Sequence, residues 1–168
     1  MSENFKPITQ GIISLIEIWE TKLSELPVDV ITERRNVQNR TIKQILGHLI
    51  DSASNNTHRI IHLQYRENPM SFPNYATDGN NDRWIAIQNF QEEDWNNLIQ
   101  LWKYINWHLV HVIENINVEK LDNVWMASSD NNVSLREMVI YYLTHLELHL
   151  NEIDELIQNP LLKFNTKN

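Results

Sequence analysis

Tyr141-Tyr142-Leu143-Thr144-His145-Leu146-Glu147-Leu148-His149-Leu150 carries an apolar stripe at helical spacing, and on the same helix two histidines four residues apart. Side chains at i and i+4 project from one face, so His145 and His149 can hold one metal ion between two imidazoles. Two ligands make an incomplete site. A third must come from another part of the chain, and the fold must bring it there.

The stretch belongs to a long helix. Ser134-Leu135-Arg136-Glu137 is a capping-box pattern that starts it, Pro160 stops it, and Leu135, Val139, Tyr142, Leu146, Ile153 and Ile157 form its core face. Working outward, three more helices are predicted from apolar recurrence at steps of three and four. The first runs from about Pro7 to Leu26 on Ile12, Ile16, Trp19 and Leu23, and is ended by Pro27. The second, about Thr41 to Gln64, uses Ile42, Leu46, Leu49, Ala53, Ile60 and Leu63. The third, about Glu92 to Ile116, uses Trp95, Leu98, Ile99, Trp102, Ile105, Leu109, Val112 and Ile116, with acidic residues in its first turn as the helix dipole prefers.

Between them lie a polar connection from Val28 to Asn39, a turn-rich crossover from Arg66 to about Phe90, and an irregular stretch from Asn117 to Val133. The crossover carries aromatics and an Arg that can cover a pocket. No strand-like alternation, repeat or low-complexity tract is evident. The expected fold is all-α, a four-helix bundle with long crossover connections, in a single domain over residues 1–168.

Composition narrows the function classes. The chain of 168 residues is 42% hydrophobic with three glycines and five prolines, which suits a packed helical protein. It has no cysteine, so any metal site uses nitrogen and oxygen, and disulfides and thiol nucleophiles are excluded. A net charge of −8 works against nucleic acid and anionic membranes as partners. The start Met1-Ser2-Glu3-Asn4-Phe5-Lys6 lacks the basic and apolar parts of a signal peptide, and no stretch is long and apolar enough to span a membrane; a cytoplasmic location is expected.

The second helix supplies the missing ligand. His48, Ser52, Asn55, Arg59 and His62 step by four, three, four and three, forming a polar line beside the apolar stripe, with Asp51 flanking His48. In a bundle the second and fourth helices lie ~8 to 10 Å apart, so His48 can join His145 and His149. Three imidazoles with open positions make a catalytic divalent site in style. His108 and His111 read as solvent-side residues, and His58 and His62 lie too far along their helix to join His48. Trp84, Trp102, Trp107 and Trp125 read as packing residues, with Trp84 a candidate pocket wall.

Gly47-His48-Leu49-Ile50-Asp51-Ser52 with Asn55 and Arg59, the Trp-containing crossover, and His145-x-x-x-His149-Leu150 with Glu152-Ile153 together resemble the DinB/YfiT-like metalloenzyme superfamily, in its bacillithiol transferase-like branch. The likeness covers nearly the whole chain. It implies a DinB-type bundle, a divalent ion on His48, His145 and His149, frequent homodimerisation, and action on low-molecular-weight thiols. Asp51, Asn55 and Arg59 match the family's helix-two pattern and are the catalytic candidates. Gly47, Leu148 and Glu152 stand where that branch often has further histidines.

The expected function is therefore a metal-dependent transferase, the ion being zinc or nickel, joining a small-molecule thiol to an electrophilic substrate. Hydrolysis of an amide or ester, with Asp51 or Glu152 assisting as base, is the second expectation. A non-catalytic bundle with a structural metal is the third.

Overall fold

The computed structural model describes residues 5–159. Pro160 and the first four residues, on which the helix stop and most of the leader reading rest, lie outside them. Among the described residues six α-helices and three short strands run in the order α1 (Lys6–Ser24), α2 (Val28–Glu33), α3 (Ile42–Leu63), β1 (Met70–Ser71), α4 (Asn80–Gln88), α5 (Trp95–Glu114), β2 (Val124–Ser128), β3 (Asn131–Ser134) and α6 (Leu135–Gln158). A single 3-10 turn, Val118–Lys120, precedes β2.

The four long helices α1, α3, α5 and α6 form the bundle. α3 packs against α5 and α6, and α1 closes the ring against the same two. Their core faces are those the periodicity predicts: Ile12, Ile16 and Leu23 of α1, Ile42, Leu46 and Leu49 of α3, Leu98 and Trp102 of α5, and Leu135 and Leu146 of α6 are almost wholly buried. Burying a Leu or Ile side chain contributes about 1.5–3 kcal/mol, which makes this interior the main source of stability.

Both helices that carry the histidines begin at capping boxes. Thr41 accepts from the Gln44 amide while the Gln44 side chain accepts from the Thr41 amide, and Ser134 and Glu137 do the same for α6. α5 starts later than its sequence suggests. Asp94 is its cap, accepting from the Asn97 amide, so Glu92 and Glu93 precede the helix and do not form its first turn.

Three further corrections concern the connections. Val28 to Glu33 is helical rather than an open link: α1 already ends at Ser24, and Pro27, with φ −64°, stands at the cap of α2, which buries Val30 and Ile31. The crossover holds α4, entered through Gly79 at φ +70°, a left-handed conformation that glycine adopts without penalty. The stretches read as strandless form a small sheet in the order β1-β2-β3. β1 is parallel to β2 (Met70 beside Trp125), and β2 is antiparallel to β3 (Trp125 beside Val133), with an irregularity between Met126 and Ser128. β3 runs into α6 without a linking residue, because Ser134 both ends the strand and caps the helix. The sheet is thereby fixed against the end of the bundle where α3 and α6 meet.

Candidate metal centre

His48 lies in the second turn of α3, one residue after Gly47. A Cβ at Gly47 would stand 2.2 Å from the Phe90 ring, so the absence of a side chain there lets Phe90 pack against the helix beside the histidine. This accounts for a glycine at this position. His145 and His149 project from α6 toward the same space. The structure brings the three together: one ring nitrogen from each falls within a set no more than 4.8 Å across. His48 Nε2 is 3.2 Å from His149 Nε2, and His145 stands farther from His48 (5.6 Å between ring centroids) than His149 does from either (4.6 Å).

Hydrogen bonds on the far side of the His48 and His149 rings fix which nitrogen of each faces inward. His48 Nδ1 is 2.8 Å from the Tyr75 hydroxyl, and that hydroxyl is 3.4 Å from Asp51 Oδ2. Tyr75 has one proton. Donated to the Asp51 carboxylate, it leaves the phenol oxygen to accept Nδ1–H from His48, and the Nε2 lone pair then points into the centre. His149 reaches the same state by donating Nδ1–H to Glu152 Oε2 at 3.1 Å, with Asn36 Nδ2 holding that carboxylate oxygen at 3.2 Å. In that tautomer two imidazole lone pairs face each other at 3.2 Å and repel unless a cation lies between them; with the Tyr75 proton given to Nδ1 instead, His48 Nε2–H donates to His149 Nε2. Nitrogens bound at ~2.1 Å to a tetrahedral ion stand about 3.4 Å apart, so this pair fits a divalent ion, with His145 the third donor within reach. Carboxylate and phenol partners behind ligating histidines are a recurrent means of fixing their tautomer.

Burial and the neighbouring imidazoles hold His48 neutral, its pKa lowered to about 2, and burial with His149 lowers that of His145 to about 4. Neutral imidazole is the form that ligates a metal. Burial raises the Asp51 carboxyl to about 6 against the lowering effect of its Gln88 and Tyr75 hydrogen bonds, and it pushes the Tyr75 phenol above its ordinary value.

The centre opens on one side into a cavity of about 720 Å³ between α3, α6 and the β-sheet. His48, Ser52 and His145 form its inner end; Arg59, Trp125 and Tyr141 are among its walls. Of the three catalytic candidates, only Arg59 lines it. Asp51 is turned behind His48, where Gln88 Nε2 donates to its Oδ1 at 2.8 Å, and Asn55 donates to the Asp51 carbonyl oxygen at 2.9 Å. Ser52 Oγ lies 3.5 Å from His145 Nδ1. Trp125 is pocket wall as well as packing, while Trp84 does not line the cavity and instead meets Tyr75 edge-on, with ring centroids 5.2 Å apart. Trp102 is buried and Trp107 exposed. His108 and His111 are exposed on α5, and His58 and His62 face a separate groove.

Sequence reading did not find Tyr75, Gln88 or Asn36. Each lies in or beside a connecting segment with no periodicity to read. The only signal was the concentration of aromatics and turn formers in a long crossover, which marks a functional loop without saying which residue acts.

Comparison with known proteins agrees with the architecture. The chain is similar over 94% of its length to YfiT from Bacillus subtilis, described as a probable metal-dependent hydrolase with an unusual four-helix bundle topology; the likeness covers 90% of that chain at 17% identity with a TM-score of 0.74. At that identity it speaks for the fold. No curated protein matches. The family model for the DinB superfamily matches residues 17–153, from α1 through both histidine-bearing helices, and the chain belongs to that superfamily.

Proposed function

We propose that the protein is a metal-dependent transferase that joins a low-molecular-weight thiol to an electrophilic carbon, with His48, His145 and His149 as the ligands of a zinc or nickel ion. When bound, such an ion supplies Lewis acidity that holds a thiol as its thiolate near neutral pH. Imidazole donors suit both metals.

The observation that carries this reading is the engagement of every carboxylate near the centre. Glu152 is held by His149 and Asn36, and Asp51 by Gln88 and Tyr75. Glu137, the one carboxylate lining the cavity, receives both the amide and the hydroxyl of Ser134. Each of these carboxylates accepts two hydrogen bonds within the chain, and Asp51 and Glu152 sit behind the histidines rather than in the cavity lining. A thiol held by such an ion would give its proton to solvent and then need no base in the chemical step. The sulfur bonds to the electrophilic carbon, and the displaced group departs with its electron pair. The chain's own work is to aim the imidazoles, through Tyr75, Asp51 and Glu152, and to place the acceptor in the cavity.

Hydrolysis is the second reading, favoured by the description of the Bacillus subtilis neighbour. The two are separated by assaying metal-loaded protein with a thiol and a haloaromatic acceptor, and in parallel with activated esters and amides without thiol. Conjugation that requires metal and is lost in His48→Ala and His149→Ala supports transfer. Hydrolysis with no thiol dependence overturns it, and unchanged metal content in both variants overturns the ligand assignment.

A further inference from the structure

Arg59 is 7% exposed, lies on the cavity wall and pairs with no acidic side chain among the described residues. Its surroundings leave one edge unused. Nε donates to the Asn55 carbonyl oxygen at 3.2 Å, and one face of the guanidinium lies over the Trp125 ring, 4.2 Å from its centroid. The two Nη groups make no hydrogen bond to a described residue. The cavity's single carboxylate, Glu137, is committed to capping α6. Burial pulls the Arg59 pKa down to about 10, so the group stays charged at neutral pH without a counter-ion. An uncompensated buried cation is costly, and a fork of two parallel N–H donors is the complement of a carboxylate.

We infer that Arg59 and Trp125 form an anion seat, and that the substrate is a small molecule with a carboxylate at one end, a mainly apolar body, and its reacting group at the other. Arg59 is rooted two turns along α3 from Ser52, which touches His145, a rise of about 10 Å along the helix axis, and its side chain bends back one turn to the Asn55 carbonyl oxygen, so the seat lies nearer the histidines than its backbone does. Tyr141, Tyr142, Met138 and Ile140 line the interval and suit an apolar or aromatic body. An arginine held by stacking and by its own helix presents its remaining edge in one orientation, which favours a planar anion over a neutral amide of the same shape.

The inference rests on the proposed function only for the position of the reacting end, and its test is independent of metal. Phenylacetate, 3-phenylpropionate and 4-phenylbutyrate, each beside its primary amide, are titrated calorimetrically into metal-loaded protein and into His145→Ala. At least one acid is expected to bind about tenfold or more tighter than its amide in both proteins, as a charge-assisted bidentate contact implies. Arg59→Met should abolish the preference while melting no lower than the parent, since it removes an unpaired buried charge. Arg59→Lys should keep only part of the preference. Equal binding of acid and amide across the series, or a preference that survives Arg59→Met, overturns the seat. Acid preference retained in a protein that binds no metal leaves the seat standing and faults the catalytic reading alone. Thiol transfer that proceeds without any acid preference does the reverse.

Discussion

Tyr75 acts on the centre through His48 rather than by touching it. Its hydroxyl fixes which nitrogen of His48 faces inward, and Asp51 in turn fixes the hydroxyl. Tyr75→Phe should keep the fold and weaken metal affinity by roughly 10–100-fold, as loss of a partner behind a ligating histidine generally does; competition with a chromophoric chelator measures it, and unchanged affinity would show the hydroxyl to be idle. The histidines themselves were legible in sequence because i, i+4 spacing and a polar line on α3 survive translation into three dimensions. Tyr75 was not, because its position depends on where a loop of turn formers lands after the bundle has formed. Asn55 shows the opposite failure. It lies on the right line of α3, but its amide turns back to the Asp51 carbonyl oxygen, a local bond that spacing along a helix cannot reveal.

At the level of elements, the four long helices could be read because 19 to 24 residues give periodicity time to declare itself, and because Thr41 and Ser134 mark two of the starts. α2, with six residues, and strands of two to five residues are too short for any period to show. They exist because the bundle offers surfaces for them. Two substitutions probe the element contacts that hold the centre. Ser134→Ala removes the cap of α6 and should cost about 1 kcal/mol, a fall in Tm of about 2–4 °C by scanning calorimetry. Gly47→Ala forces Phe90 away from α3 and should cost about 1–3 kcal/mol, partly recovered by pairing it with Phe90→Leu. A Gly47→Ala protein as stable as the parent would show that Phe90 yields freely.

For the molecule as a whole, folding itself holds two imidazoles neutral, and this couples stability to pH in the metal-free protein. Their pKa values lie below the ordinary 6.5, at about 4 for His145 and about 2 for His48, so the unfolded chain binds more protons than the folded one in acid. Their contribution is complete above pH 6.5 and is lost as pH falls through the folded values. Chelated protein should therefore lose Tm steadily below pH 6.5, and His145→Gln should flatten that slope; parallel profiles would contradict it. Saturating zinc or nickel should raise Tm in a concentration-dependent way, with no such rise in His149→Ala.

The hairpin of β2 and β3 gives the cavity one wall, through Trp125, Ala127, Asn131, Asn132 and Val133, while every histidine of the centre sits on a helix of the bundle. The candidate ligands are thus on the bundle alone, whereas the cavity wall is shared between the bundle and this hairpin. The turn at Ser129 and Asp130 can lengthen, shorten or change its side chains without disturbing a ligand or the packed interior. For an engineer, the neighbouring wall residues Ala127, Asn131, Asn132 and Val133 are where the cavity can be reshaped while the three histidines stay in place.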